Sequence, residues 1–189
     1  MKQYHFVTNW NIEAPIEGVF EVILDSLAWP EWWRGVTHVE AVTAGDEQGV
    51  GEVRRFTFRS LLPYTLTFDV RSTLVDRPGR LFGDASGQLV GRGRWFLVPT
   101  AEGTSIRYEW DVSTTEWWMN LAGPIAGAVF AWNHDVIMRW GEQGLRARLG
   151  LPPREEPEGG AARLVQIAVA GSVAAAVLAW LGLRRRGRS

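Results

Sequence analysis

Arg54, Phe56 and Phe58 occupy alternate positions of one short segment, so a guanidinium shares a strand face with two aromatic rings. A buried arginine needs a counter-charge. A ligand carboxylate or phosphate would supply one, and escape of the head group to solvent at the strand end would remove the need. Tyr64 falls in phase with Leu66 and Phe68, and Tyr108 with Trp110, so each hydroxyl is a donor on an apolar face or a satisfied core tyrosine. Further along, Ala126, Val129, Phe130, Val136, Ile137 and Trp140 surround Asn133 on one helical stripe, which makes Asn133 the best candidate for a polar contact projected inward. His134 lies about 100° around the same helix and faces the sheet edge or solvent. As an imidazole it could also bind a ligand or carry a proton.

Other chemistries are absent. His5, His38 and His134 have no metal-ligand spacing, and the chain has no cysteine, so no metal is expected. There is no glycine-rich phosphate loop and no G-x-S-x-G elbow, so no cofactor is expected either. No two acidic residues share the inner face as an acid–base pair. A net charge of −1 gives no basic patch for nucleic acid.

The elements that must position these residues read clearly. Tyr4, Phe6, Thr8, Trp10 and Ile12 alternate with His5, Val7, Asn9 and Asn11 as a half-buried strand. Ala14-Pro15 opens a helical pattern through Ile16, Val19, Phe20, Ile23 and Leu24. Trp29-Pro30-Glu31-Trp32-Trp33 reads as a further helical turn. Strands are expected over residues 36–43, 50–60, 64–75, 80–87, 88–98 and 104–113, with turns too short for anything but antiparallel pairing. Ser113 with Glu116 matches a capping box, and a long helix is expected over 117–149, kinked at Gly123-Pro124 and stopped by Gly150.

The stretch 83–97 indicates what the sheet encloses. Alternate residues are Gly83, Ala85, Gly87, Leu89, Gly91, Gly93, Trp95 and Leu97, a small and apolar face. Either a helix approaches these glycines closely, or the missing side chains leave an apolar cavity. Such a cavity would be walled by Phe56, Phe58, Leu66, Phe68, Val70, Trp95, Ile106, Tyr108, Trp110 and Val112.

The domain is expected over residues 1–150, followed by a Pro/Gly/charge-rich linker over 151–163. Residues 164–183 carry no charge, and twenty helical residues cover about 30 Å, so they are expected to span a membrane. Residues 184–189 form a basic tail. Arginines stand on both sides of the span and leave orientation open. The N-terminus lacks a signal-peptide run, so a cytoplasmic domain on a single-pass C-terminal anchor is the simpler arrangement. Gly171 and Ala175 form a small-xxx-small pair suited to helix association, and thus to a homo-oligomer.

The element order, with the segments Trp29-Pro30-Glu31-Trp32-Trp33, RSLLPYTLTF from Arg59, Gly91-Arg92-Gly93-Arg94-Trp95, Gly103-Thr104 and WMNLAGPIAGAVFAWNHDVIMRWGEQGL from Trp118, resembles the SRPBCC, or START-like, helix-grip superfamily over residues 1 to 150. Its relatives include polyketide cyclases/dehydratases, lipid-transfer START domains and the birch-pollen allergen. The resemblance implies an α+β helix-grip fold: a curved seven-stranded antiparallel sheet around a long C-terminal helix, with a hydrophobic cavity between them. It supplies no universal catalytic motif, and the hydrophobic tail lies outside it.

Three readings follow. The first is a membrane-tethered binding or transfer protein for a hydrophobic small molecule or lipid. The second is an aromatase/cyclase or dehydratase using Tyr108, Arg54 or His134. The third is a stress-response or interaction module whose exposed tryptophans, Trp32 and Trp33 among them, bind a partner protein.

Overall fold

The computed structural model describes residues 3–62, 64–114 and 123–154, with side chains from residue 130 onward in the last stretch. Among these, seven strands form one antiparallel sheet: β1 (Gln3–Ile12), β2 (Val36–Thr43), β3 (Val53–Arg59), β4 (Thr65–Asp76), β5 (Arg80–Gly87), β6 (Leu89–Thr100) and β7 (Gly103–Thr114). Their order is β1-β7-β6-β5-β4-β3-β2, so each strand from β2 to β7 neighbours the next in sequence and the chain closes by laying β1 against β7. β1 and β7 stay in register over ten residues, from Gln3 opposite Ser113 to Ile12 opposite Thr104. Two register shifts on edge strand β2 break the flat template that would invite edge-to-edge pairing.

Alternation decides the inner face. Tyr4, Trp10 and Ile12 of β1 are buried, as are Phe56, Leu66, Phe68, Trp95, Leu97, Ile106, Trp110 and Val112 on the other strands. The outer face carries charge. Arg55 makes a two-pronged contact with Asp69 at 2.8 and 3.1 Å, and Arg94 bridges Asp111 at 2.6 Å and Glu109 at 3.0 Å.

Two short helices close one end of the sheet. Helix α1 (Ile16–Leu24) starts after Pro15 and buries Ile16, Val19, Phe20 and Ile23. A 3₁₀ turn (Ser26–Ala28) leads into α2 (Trp29–Trp32). The long helix α3 (Gly123–Arg148) begins where a kink was expected, and residues 117–122 of the expected helix lie outside the described residues. It ends in a Schellman motif: Leu151 donates to the Arg146 carbonyl at 2.9 Å, Gly150 donates to that of Ala147 at 3.0 Å, and Gly150 adopts φ +72°.

One expectation fails outright. Ser113 does not cap a helix, because β7 runs to Thr114 and Ser113 is paired to Gln3 on one side and Val90 on the other. Ladder hydrogen bonds on both flanks outweigh a local capping signal.

Residues 1–153 form a compact unit. Leu151 packs on the core, and Arg146 donates to the Pro152 carbonyl at 2.9 Å, which fixes the first residues after the helix. Among the described residues no helix is long and apolar enough to cross a membrane. The span expected over 164–183, the basic tail and the Gly171/Ala175 pair lie outside the described residues.

Candidate functional site

Between the concave sheet face and α3 lies a cavity of about 210 Å³. Ten of the eleven residues singled out from the sequence line it: Arg54, Phe56, Phe58, Leu66, Phe68, Trp95, Tyr108, Trp110, Asn133 and His134. Tyr64 does not. It stands just ahead of β4, half-buried against the core, where burial and the neighbouring Tyr4 raise its pKa above that of an ordinary tyrosine.

The glycines expected to face inward do so at Gly83 and Gly93. Their space is taken less by the helix than by large residues of adjacent strands. A Cβ at Gly93 would stand 2.9 Å from the Trp110 ring and 3.0 Å from the Tyr108 hydroxyl, and one at Gly83 would stand 2.6 Å from Val70. Glycine on β6 thus lets the aromatic side chains of β7 lean across the sheet, and glycine on β5 makes room for Val70 of β4.

An aromatic wall results. Trp95 stacks on Tyr108 with ring centres 4.1 Å apart, Phe58 stacks on Phe68 at 5.6 Å, and Phe68 leans on Trp110 at 5.8 Å. Each such pair adds about 0.5–1.5 kcal/mol beyond simple burial. At the α2 end, Trp29 and Trp33 sit 4.8 Å apart, and Trp29 packs on Phe56 at 5.4 Å.

This corrects the exposure that the third reading expects of Trp33. Trp33 is only 2% exposed and Trp29 is buried with it, while Trp32 is half-buried, so α2 presents its tryptophans to the core rather than to a partner. Their i, i+4 spacing was the available signal that Trp29 and Trp33 line one wall.

Arg54 lines the cavity and is paired within the protein. It donates to Glu52 at 2.7 Å, to the Ser26 hydroxyl at 2.7 Å and to the Leu24 carbonyl at 3.3 Å. Its side chain is 18% exposed. The counter-charge therefore comes from Glu52, two residues away on the same strand face, and not from a ligand. That parity is legible in the sequence, with Glu52 two positions before Arg54.

Polar groups without such partners cluster on α3. Asn133 is 4% exposed, and its Oδ1 has no hydrogen-bond partner among the described residues. Both ring nitrogens of His134 are buried without a hydrogen bond, and the ring stacks on Phe6 at 4.3 Å, so it faces inward rather than solvent. Its nearest charge is the Asp135 carboxylate at 3.7 Å. Burial raises the Tyr108 phenol well above its ordinary pKa, so it remains a neutral donor. Among the described residues no group of three or more His, Cys, Asp or Glu could hold a metal ion.

A curved antiparallel sheet gripping one long helix around an apolar cavity defines the helix-grip class. The sequence profile of the family described as polyketide cyclase / dehydrase and lipid transport matches residues 3–150, and the chain belongs to that family, within the SRPBCC superfamily. No curated protein sequence matches it. Solved structures share the fold at low identity. The Zhui aromatase/cyclase from Streptomyces sp. R1128 superposes with a TM-score of 0.65 at 15% identity, covering 79% of this chain and 94% of that one. A START superfamily protein from Mycobacterium smegmatis gives 0.62 at 12%, covering 77% and 98%. The di-domain ARO/CYC BexL of the BE-7585A biosynthetic pathway gives 0.59 at 19%, with 77% of this chain matching 51% of that one.

Proposed function

We propose that the protein binds a compact hydrophobic molecule in the cavity, as a carrier or transfer protein. The observation that carries this reading is an apolar, aromatic-walled volume of about 210 Å³ in which Arg54, the arginine among the described lining residues, is already paired with Glu52. A cavity of about 150 Å³ suffices for benzene, and drug-sized ligands take about 300 Å³ or more, so the ligand is small or inserts only part of itself. The family's link to lipid transport favours the same reading. The uncharged run 164–183 extends it: a C-terminal membrane tether would hold a cytoplasmic domain near the bilayer and raise its effective concentration where poorly soluble ligands reside.

Native mass spectrometry of the full chain, released from mild detergent with extraction of bound material, tests this. A stoichiometric apolar adduct is expected. A chain that is empty, and stays empty when offered toluene, would contradict it.

One observation favours a second reading, a cyclase or dehydratase. Tyr108 and His134 both face the cavity, and a buried phenol held protonated can polarise a substrate carbonyl. On that reading Tyr108→Phe abolishes turnover of a β-polyketone mimic while leaving its affinity within a few-fold. Equal turnover by both proteins removes Tyr108 from the chemistry.

A further inference from the structure

Resting on the cavity-binding reading, we infer that the cavity selects an uncharged ligand carrying a hydroxyl or comparable hydrogen-bond donor, which it seats against Asn133 on α3. Three observations carry this.

First, Asn133 is 4% exposed and its Oδ1 has no partner among the described residues. A buried acceptor left unmade costs folding stability, and a leucine of similar shape would avoid that cost. An amide kept in this position is explained by a partner that arrives with the ligand.

Second, the neighbouring His134 also lines the cavity with both ring nitrogens buried and free of hydrogen bonds. An imidazole can donate and accept, so it suits the same group of the ligand. Tyr108, Ser26 and Ser72 also line the cavity, but of the described lining residues it is Asn133 and His134 that hold buried polar atoms without a hydrogen bond. The polar end of the ligand therefore lies at α3, and its apolar body lies against Phe68, Trp95 and Trp110.

Third, the charge balance excludes an anion. Glu52 and Arg54 are the carboxylate and the guanidinium among the described lining residues, and they are joined at 2.7 Å. Arg54 spends further donors on Ser26 and Leu24, so its cation is not available at the far end of the cavity. A ligand carboxylate would be desolvated without a counter-ion, which is far more costly than burying a neutral hydroxyl.

The test compares toluene, para-cresol and benzoate on the full chain by isothermal titration at neutral pH. They share one ring and differ at the polar end. Para-cresol is expected to bind about tenfold or more tightly than toluene, the gain from satisfying a buried acceptor, with benzoate weakest. In Asn133→Leu the preference for para-cresol over toluene should disappear, and the empty variant should melt a few degrees higher because the orphaned acceptor is gone. Equal binding of toluene and para-cresol by the wild type would overturn the inference and leave the cavity reading standing. Tightest binding of benzoate would do the same. A lower melting temperature for Asn133→Leu would show that the amide is structural and also overturn it. Failure of all three probes to bind would sink the cavity reading and this inference together.

Discussion

Trp33 donates its indole N–H to the Ile137 carbonyl at 2.8 Å and so fastens α2 to the middle of α3. The approach this requires is permitted by two glycines, one and two turns further along. A Cβ at Gly141 would stand 2.5 Å from the Trp33 ring, and one at Gly144 would overlap the Trp32 carbonyl oxygen.

Gly144→Ala should therefore destabilise the protein by about 2 kcal/mol or more, although alanine is the better helix former by about 1 kcal/mol. The obstruction is backbone, which cannot swing away. Gly18→Ala on the exposed face of α1 meets nothing within 4 Å and should stabilise by up to about 1 kcal/mol. Urea unfolding of both variants checks the opposite signs.

Glu52→Gln should destabilise by about 2–3 kcal/mol, since it leaves the largely buried Arg54 guanidinium without its carboxylate. Arg54→Lys should cost stability as well. A single ammonium cannot reproduce the fork that reaches Glu52, Ser26 and Leu24 together. Comparison of the two unfolding midpoints with wild type reads both effects.

Acid should weaken the junction of β1, β7 and β6. The His5 hydrogen bond, with help from Arg94, holds the Asp111 carboxyl below the usual carboxylate range. A depressed folded-state pKa gives stability that is present above the unfolded value, about 3.9, and lost as pH falls through the folded one. The melting-temperature gap between wild type and Asp111→Asn should accordingly hold steady from about pH 6 to pH 5 and shrink below about pH 4. A gap that widens in acid would refute the assignment.

Much of this arrangement was legible from alternation alone. Tyr4, Trp10 and Ile12 face inward because β1 is wet on one side and dry on the other, and the same parity brought Phe56, Leu66, Phe68, Trp95 and Trp110 together. Three features were hidden because they depend on contacts distant in sequence. Ser113 looked like a helix cap until β7 was flanked by β1 and β6. The orientation of His134 is set by stacking on Phe6, some 130 residues earlier. The tryptophans of α2 are buried because Gly141 and Gly144, more than a hundred residues later, make room for them. Arg54 differs, since its partner Glu52 lay two positions away on the same face.

The central claim, a cavity that takes an apolar ligand, is tested most directly by titrating toluene into the isotope-labelled full chain and following the tryptophan indole and backbone amide N–H resonances by NMR. Saturable one-to-one shifts of Trp95 and Trp110, with outward-facing Val90 and Val98 unmoved, are the predicted result. No saturable shift, or shifts confined to exposed residues such as Leu61 and Val98, would contradict it.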